Sequence, residues 1–156
     1  MSLILERARI PDRLATRSEE LLPLAQEEGL AVIPYNPLAG GLLTGKYTRG
    51  DRPETGRFSA ELGGFGQTYY ARYWHEREFE TVGKVQEIAQ NEGMPITTLS
   101  VAWLLANPAI TSVILGASRV EQLTDTLAAV DYTFDSELKA QLDKASIEFR
   151  KGDAAA

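Results

Sequence analysis

Two short apolar runs, "LAVIP" at 30–34 and "TSVIL" at 111–115, constrain what this chain can fold into more than any other feature. Each is continuous rather than alternating, carries β-branched residues and runs into a glycine-bearing loop, the pattern of a strand covered on both faces, as in parallel sheets. Parallel neighbours need a long crossover between them, and the intervening sequence supplies helices. The chain therefore reads as helix, strand, long loop, helix, helix, strand, helix, helix, the alternation of an α/β protein with parallel strands. Two strands, or three if "SLILE" is the tail of another, leave open edges and too little sheet to cover the helices. The expectation is part of a larger fold.

The helices have readable ends. "TRSEELLPLAQEEG" offers Thr16 or Ser18 as N-cap, places Glu19 three residues after Thr16 as in a capping box, and closes at Gly29; Pro23 predicts a kink. From Asn36 to about Tyr73 comes a long irregular stretch rich in Gly, Thr, Arg and aromatic residues, of a length that usually serves as a lid or a linker. "EFETVGKVQEIAQNEG" puts Phe79, Val82, Val85 and Ala89 on one face and stops at Gly93. "TTLSVAWLLANP" is apolar nearly all round, with Thr97 or Thr98 as cap and Asn107 and Pro108 as its stop, which predicts a mostly buried helix. "SRVEQLTDTLAAV" opens with a Ser118–Glu121 capping box and carries Val120, Leu123, Leu127 and Val130 at helical spacing. A last helix from about Ser136 aligns Leu138, Leu142, Ala145 and Phe149, and "KGDAAA" reads as a frayed tail.

Composition bounds the function. At 156 residues with 44% hydrophobic and 24% charged residues, the chain reads as one soluble domain, and its longest apolar run is far too short to span a bilayer. A formal net charge of -6 argues against a nucleic-acid surface. Arg7, Arg9, Arg13 and Arg17 interleave with Glu6, Asp12, Glu19 and Glu20, the pattern of a solvated surface. The absence of cysteine removes disulfides and thiolate chemistry and fits a reducing cytoplasm, while the single His75 cannot supply a multi-histidine metal site; it reads as a surface residue near a helix start. "MSLILERARIP" lacks the longer apolar core of a secretory signal.

Taken together, "AVIPYNPLAGGLLTGKY" at 31–47 and "ITSVILGASRVEQLTDTLAAV" at 110–130 resemble the second half of the aldo-keto reductase family. The resemblance covers residues 19 to about 147, including "TTLSVAWLLANPAITSVILGAS"; residues 1–18 match poorly and 148–156 form a tail. It implies the C-terminal portion of a (β/α)8 TIM barrel, present as one partial domain over 1–156, and NADP(H) as cofactor. On this resemblance Tyr35 stacks on the nicotinamide, Asn36, Pro37, Leu38, Ala39, Gly40 and Gly41 wrap the ribose and pyrophosphate, and Lys46 and Arg57 contact the pyrophosphate. Gly116 and Ser118 receive the adenosine end, Arg119 pairs with the 2′-phosphate, and Gln122, Asp125 and Thr126 fall at the adenine and its ribose. The chain departs from the family pattern at Thr126, where Asn is usual, and more mildly at Asn36, where Ser is common. Physics supports the same places independently. A strand ending in a glycine loop lets backbone N–H groups approach a ligand, and a helix starting near Ser118 favours an anion to which Arg119 adds a two-pronged donor.

Structural roles compete with each assignment. Gly40, Gly41 and Gly45 also serve as plain turn residues, Ser118 as an N-cap alone, and Tyr35 as a rim aromatic. Phe58, Phe65, Tyr69, Tyr70, Tyr73 and Trp74 form either a substrate lid or a plug of the barrel rim. The family's tyrosine, lysine, histidine and aspartate come from the first half of the barrel, so the resemblance assigns no residue of this chain to catalysis. Two readings remain open: the cofactor-binding half of an oxidoreductase, acting on a carbonyl substrate once complemented, or a non-catalytic truncated or binding module. Apolar strands with open edges predict a homo-oligomer or a complementing half-barrel chain.

Overall fold

A computed structural model describes residues 18–50, 52–147 and 149 of the chain. Thr16, the "SLILE" segment, the first arginine cluster and the tail lie outside the described residues.

Helix α1 (Ser18–Glu27) continues through Pro23. Gly29, at φ +64°, ends it in the left-handed turn that the sequence predicts. The N–H of Gly29 donates to Gln26 O (3.3 Å) and that of Leu30 to Ala25 O (2.7 Å), satisfying two carbonyls at the end of α1.

The two apolar runs depart from expectation. Among the described residues neither forms a strand; they meet in one parallel bridge, Tyr35 with Ile114. Thr111 N–H donates to Val32 O (2.9 Å) and Ile114 N–H to Pro34 O (3.0 Å), but Val32 N–H turns to the Thr111 hydroxyl (3.1 Å), where a ladder would use a carbonyl. The expected burial on both faces is also corrected. Val32 and Val113 pack against Leu22, Ala109 and Ile110, whereas Ile33 and Ile114 are 52% and 55% exposed. A parallel pair is weak when only one face is covered, which accounts for a single bridge in place of a ladder.

The stretch from Asn36 to Tyr73 is not irregular throughout. It holds 3₁₀ segments at Ala39–Thr44 and Ala60–Leu62 and then helix α2 (Gly63–Tyr73). Gly63, Gly64 and Gly66 lower helix propensity and hide α2 in the sequence. Gly66 is needed for contact, since a Cβ there would lie 2.0 Å from Ser59 O. Packing overrides propensity: Phe65, Tyr69 and Tyr73 follow one another at helical spacing, with successive ring centroids 5.5 and 5.9 Å apart.

Helix α3 (Glu76–Asn91) buries Val82, Val85 and Ala89 as predicted and ends at Gly93 (φ +65°), where Met94 N–H reaches back to Ala89 O (3.0 Å). Helix α4 (Ile96–Leu105) is covered all round, burying Ile96, Thr98, Leu99, Ser100, Val101, Ala102 and Leu104. Its expected threonine cap does not form. Pro95 precedes the helix, and the Thr98 hydroxyl donates instead to Asp125 O (2.7 Å), fastening α4 to α5 (Glu121–Leu127).

The Ser118–Glu121 capping box is likewise absent: α5 starts at Glu121, and Gln122 Oε1 reaches back to accept from Ser118 N (3.0 Å) and Oγ (3.2 Å). The face of α5 is rotated from the expected stripe, with Thr126 and Ala129 buried while Val120 (78%), Leu127 and Val130 are exposed. The bond from Thr98 fixes which side of α5 meets α4. Helix α6 (Ser136–Ala145) follows its prediction, burying Leu138, Leu142 and, beyond its end, Phe149. Trp103 Nε1 donates to Asp143 Oδ1 (2.9 Å), tying α4 to α6. The main core joins α3, α4, α6 and the Ala39–Thr44 segment around Phe58, Leu99 and Leu142.

One cap is formed and one is not, which gives a test. Asp135 Oδ1 accepts from Leu138 N (2.7 Å), so Asp135→Ala should lower stability in urea by about 1 kcal/mol. Ser118→Ala should change it by less than about 0.5 kcal/mol. Equal losses at the two sites would contradict this assignment of caps.

Candidate functional site

The Tyr35–Ile114 bridge is parallel, so the chain leaves both segments at the same end. From one segment issues the turn 36–41 and from the other the turn at Gly116. The first is held in an uncommon shape: Asn36 (φ +57°), Ala39 (+51°), Gly40 (+72°) and Gly41 (+99°) are all left-handed. Asn tolerates this region, but for Ala39 it costs about 1–2 kcal/mol. The surrounding bonds over-determine it. Asn36 O accepts from Ala39 N (3.0 Å), Asn36 Oδ1 from Gly40 N (2.8 Å), and Leu38 O from Gly41 N (2.8 Å). Asn36 Nδ2 donates to the Tyr73 hydroxyl (3.2 Å), so the far end of α2 anchors the turn.

An aromatic bed lies beneath. Phe58 is fully buried, with ring centroids 5.1 Å from Tyr47, 6.2 Å from Tyr69, 6.4 Å from Tyr73 and 5.1 Å from Trp74. Gly40 rests on this bed so closely that a Cβ would meet Tyr69 Cδ1 at 2.8 Å and Phe58 Cζ at 3.2 Å. Of the aromatic residues left between lid and plug, Phe58 and Tyr73 are packing residues of the turn, while Phe65 stands exposed at the other end of α2.

Each glycine turn has a cation against it. Lys46 Nζ lies 3.9 Å from where a Gly41 Cβ would sit, and Arg57 Nη2 lies 3.8 Å from the corresponding point on Gly116. Arg57 Nη1 donates to the Tyr69 hydroxyl (3.1 Å), and Lys46 leans over the Tyr47 ring at 4.9 Å. Both cations are exposed, and both lie beside glycine backbone. Two cations flanking bare backbone suit an extended anion such as a diphosphate.

The structure thus brings together Tyr35 through Gly41, Lys46, Arg57 and Gly116. Pro37 is buried beneath the turn and Leu38 is half-buried between two parts of the core. Ser118 and Arg119 are exposed just before α5, with Ser118 tied to Gln122, and Asp125 is exposed on α5 while its carbonyl is taken by Thr98. Thr126 is turned inward: 4% exposed, its hydroxyl bonds to Gln122 O (3.3 Å) and Leu123 O (3.1 Å) of its own helix. Tyr69 and Tyr73, expected from sequence as lid or plug and not as cofactor residues, support the turn directly, and their four-residue spacing after Phe65 is the signal for it. Among the described residues no cluster of histidine, cysteine and carboxylate side chains could hold a metal ion, and no helix is long and apolar enough to cross a membrane.

Glycine turns at one end of two parallel segments, each with a cation, are the construction of a strand-end anion site in an α/β protein. Comparison with known proteins identifies the family: the Aldo/keto reductase family model matches residues 14–147, and the chain belongs to that family. It is 37% identical over 125 residues to the L-glyceraldehyde 3-phosphate reductase of Escherichia coli O157:H7, covering 80% of this chain and 36% of that protein. It is 36% identical to the mouse (Mus musculus) aflatoxin B1 aldehyde reductase member 2, over 72% of this chain and 33% of that protein. A probable voltage-gated potassium channel subunit beta of Arabidopsis thaliana is 35% identical, again over 72% of this chain and 33% of that protein. The chain spans about a third of the length of these relatives. The family implies a (β/α)8 barrel, whereas among the described residues every regular element is helical and the one β pairing is this bridge.

Tyr73 gives the site a pH signature. Burial, opposed by the neighbouring Arg72, raises its pKa above the ordinary value of 10.0. The folded chain therefore favours the neutral phenol, and the associated stability is intact below pH 10 and is lost as pH climbs through the folded-state pKa. Urea midpoints measured between pH 9 and 11 should fall less steeply for Tyr73→Phe than for the unaltered chain. Equal slopes would contradict this assignment.

Proposed function

We propose that the chain is the NADP(H)-binding C-terminal portion of an aldo-keto reductase barrel. The observation that carries this reading is the parallel bridge, which directs two cation-flanked glycine turns to one end of the paired segments. In this role Tyr35 stacks on the nicotinamide, and the turn Asn36 through Gly41 lines the ribose and diphosphate. Lys46 and Arg57 neutralise the diphosphate, and Gly116 leaves room for it. Ser118 and Arg119 take the 2′-phosphate, with Gln122 and Asp125 at the adenosine end; Thr126, turned inward and bonded within its own helix, takes no part.

When bound, the cofactor supplies a hydride for a carbonyl carbon. Two relatives are named as aldehyde reductases of one kind or another, so an aldehyde is the proposed substrate class. No residue of this chain is assigned the proton-donating role, and turnover requires the remaining strands of the barrel. Those strands would cover the bare face of Ile33 and Ile114; a second copy or a complementing half-barrel chain is the proposed partner. A reducing cytoplasm is the proposed setting, in keeping with a sequence without cysteine.

Titration of the chain with NADPH and with NADH, followed by nucleotide fluorescence, tests the cofactor reading. NADPH should bind more tightly, and Arg119→Ala should weaken NADPH about 5-fold while leaving NADH unchanged, as expected for loss of one solvent-exposed charge-assisted contact. Equal weakening of both nucleotides would refute the 2′-phosphate assignment, and no binding of either would refute the cofactor reading.

A further inference from the structure

The two glycine turns belong to segments more than 70 residues apart in sequence, and something must set the distance between their cations. One side chain touches the first turn and the cation beside the second. The Tyr69 ring lies against Gly40, where a Cβ would fall 2.8 Å from Cδ1, and its hydroxyl accepts from Arg57 Nη1 at 3.1 Å. Arg57 in turn lies beside Gly116, with Nη2 3.8 Å from the Cβ point. The Tyr69 ring is itself confined by Phe65 (5.5 Å), Tyr73 (5.9 Å) and Phe58 (6.2 Å between centroids).

We propose that Tyr69 is a positioning residue of the cofactor cradle: its ring seats the 36–41 turn while its hydroxyl holds Arg57 over Gly116, so that α2 sets the spacing between the two anion-binding turns. The proposal rests on the cofactor reading above. Arg57 is exposed and rotamer-rich, and ordering such a side chain at the moment of binding costs conformational entropy. A fixed phenol on a packed helix has that ordering done in advance, and the guanidinium keeps its remaining donors for an anion. The ring–cation separation of 5.6 Å adds a second attraction that holds the guanidinium near α2. Gly40 completes the arrangement, since any side chain there would push the turn off the Tyr69 ring.

Tyr69→Phe keeps the ring packing and removes only the hydroxyl. Calorimetric titration with NADPH and with inorganic pyrophosphate should show both weakened about 3- to 10-fold, the effect of losing one charge-assisted hydrogen bond, with the thermal midpoint unchanged. The decisive comparison is with Arg57→Ala. If Tyr69 acts through Arg57, adding Tyr69→Phe to Arg57→Ala should cause no further loss of affinity. Additive losses, or a Tyr69→Phe chain that binds both ligands as the unaltered chain does, would overturn the proposal and leave the cofactor reading standing. An unaltered chain that binds neither ligand would overturn both.

Discussion

The rest of this structure depends on one contact, the parallel bridge between Tyr35 and Ile114. It joins segments that are distant in sequence, and because the pairing is parallel it sends the turns that follow them in one direction. Without it, Gly116 would have no defined relation to Gly41, Lys46 and Arg57. Val32 and Val113 bury the back of the pair against α1 and the 109–110 turn, so its support comes from one side. The opposite side presents Ile33 and Ile114 to solvent.

Around this contact the helices are held mutually by a few specific bonds laid over a large apolar core. Thr98 to Asp125 and Trp103 to Asp143 fasten α5 and α6 to the buried α4. The aromatic bed of Tyr47, Phe58, Tyr73 and Trp74 holds the left-handed 36–41 turn from beneath, and Asn36 links that turn to α2. Strain at Ala39 is thus stored where an anionic ligand is proposed to bind, a common location for backbone that cannot relax freely.

The sequence made some of this legible and hid the rest for physical reasons. Gly29 and Gly93 marked helix ends because only a left-handed residue closes those turns, and the all-round apolar pattern of α4 correctly announced burial. The residues of the "YNPLAGG" turn, Lys46, Arg57 and Gly116 were named by resemblance and do lie near one another. Helix α2 is hidden because three glycines lower its local propensity, while part of its stabilisation comes from rings packed on the distant Gly40. The Ser118 cap and the apolar stripe of α5 failed together. Both treated the helix as if its neighbours did not matter, and the hydroxyl of Thr98 decides which face is covered. The strands failed for a different reason: a run that suits a sheet still needs neighbours on its edges and cover on both faces.

The central claim is that residues 32–35 and 111–114 are paired in parallel, and backbone amide hydrogen exchange measured by NMR on the full chain reads it most directly. The amides of Thr111 and Ile114, donors to Val32 O and Pro34 O, should exchange far more slowly than in an unstructured peptide. Exchange of both at unprotected rates, while the amides of α3 and α4 remain protected, would show that the bridge is not formed and that the two glycine turns are not held together.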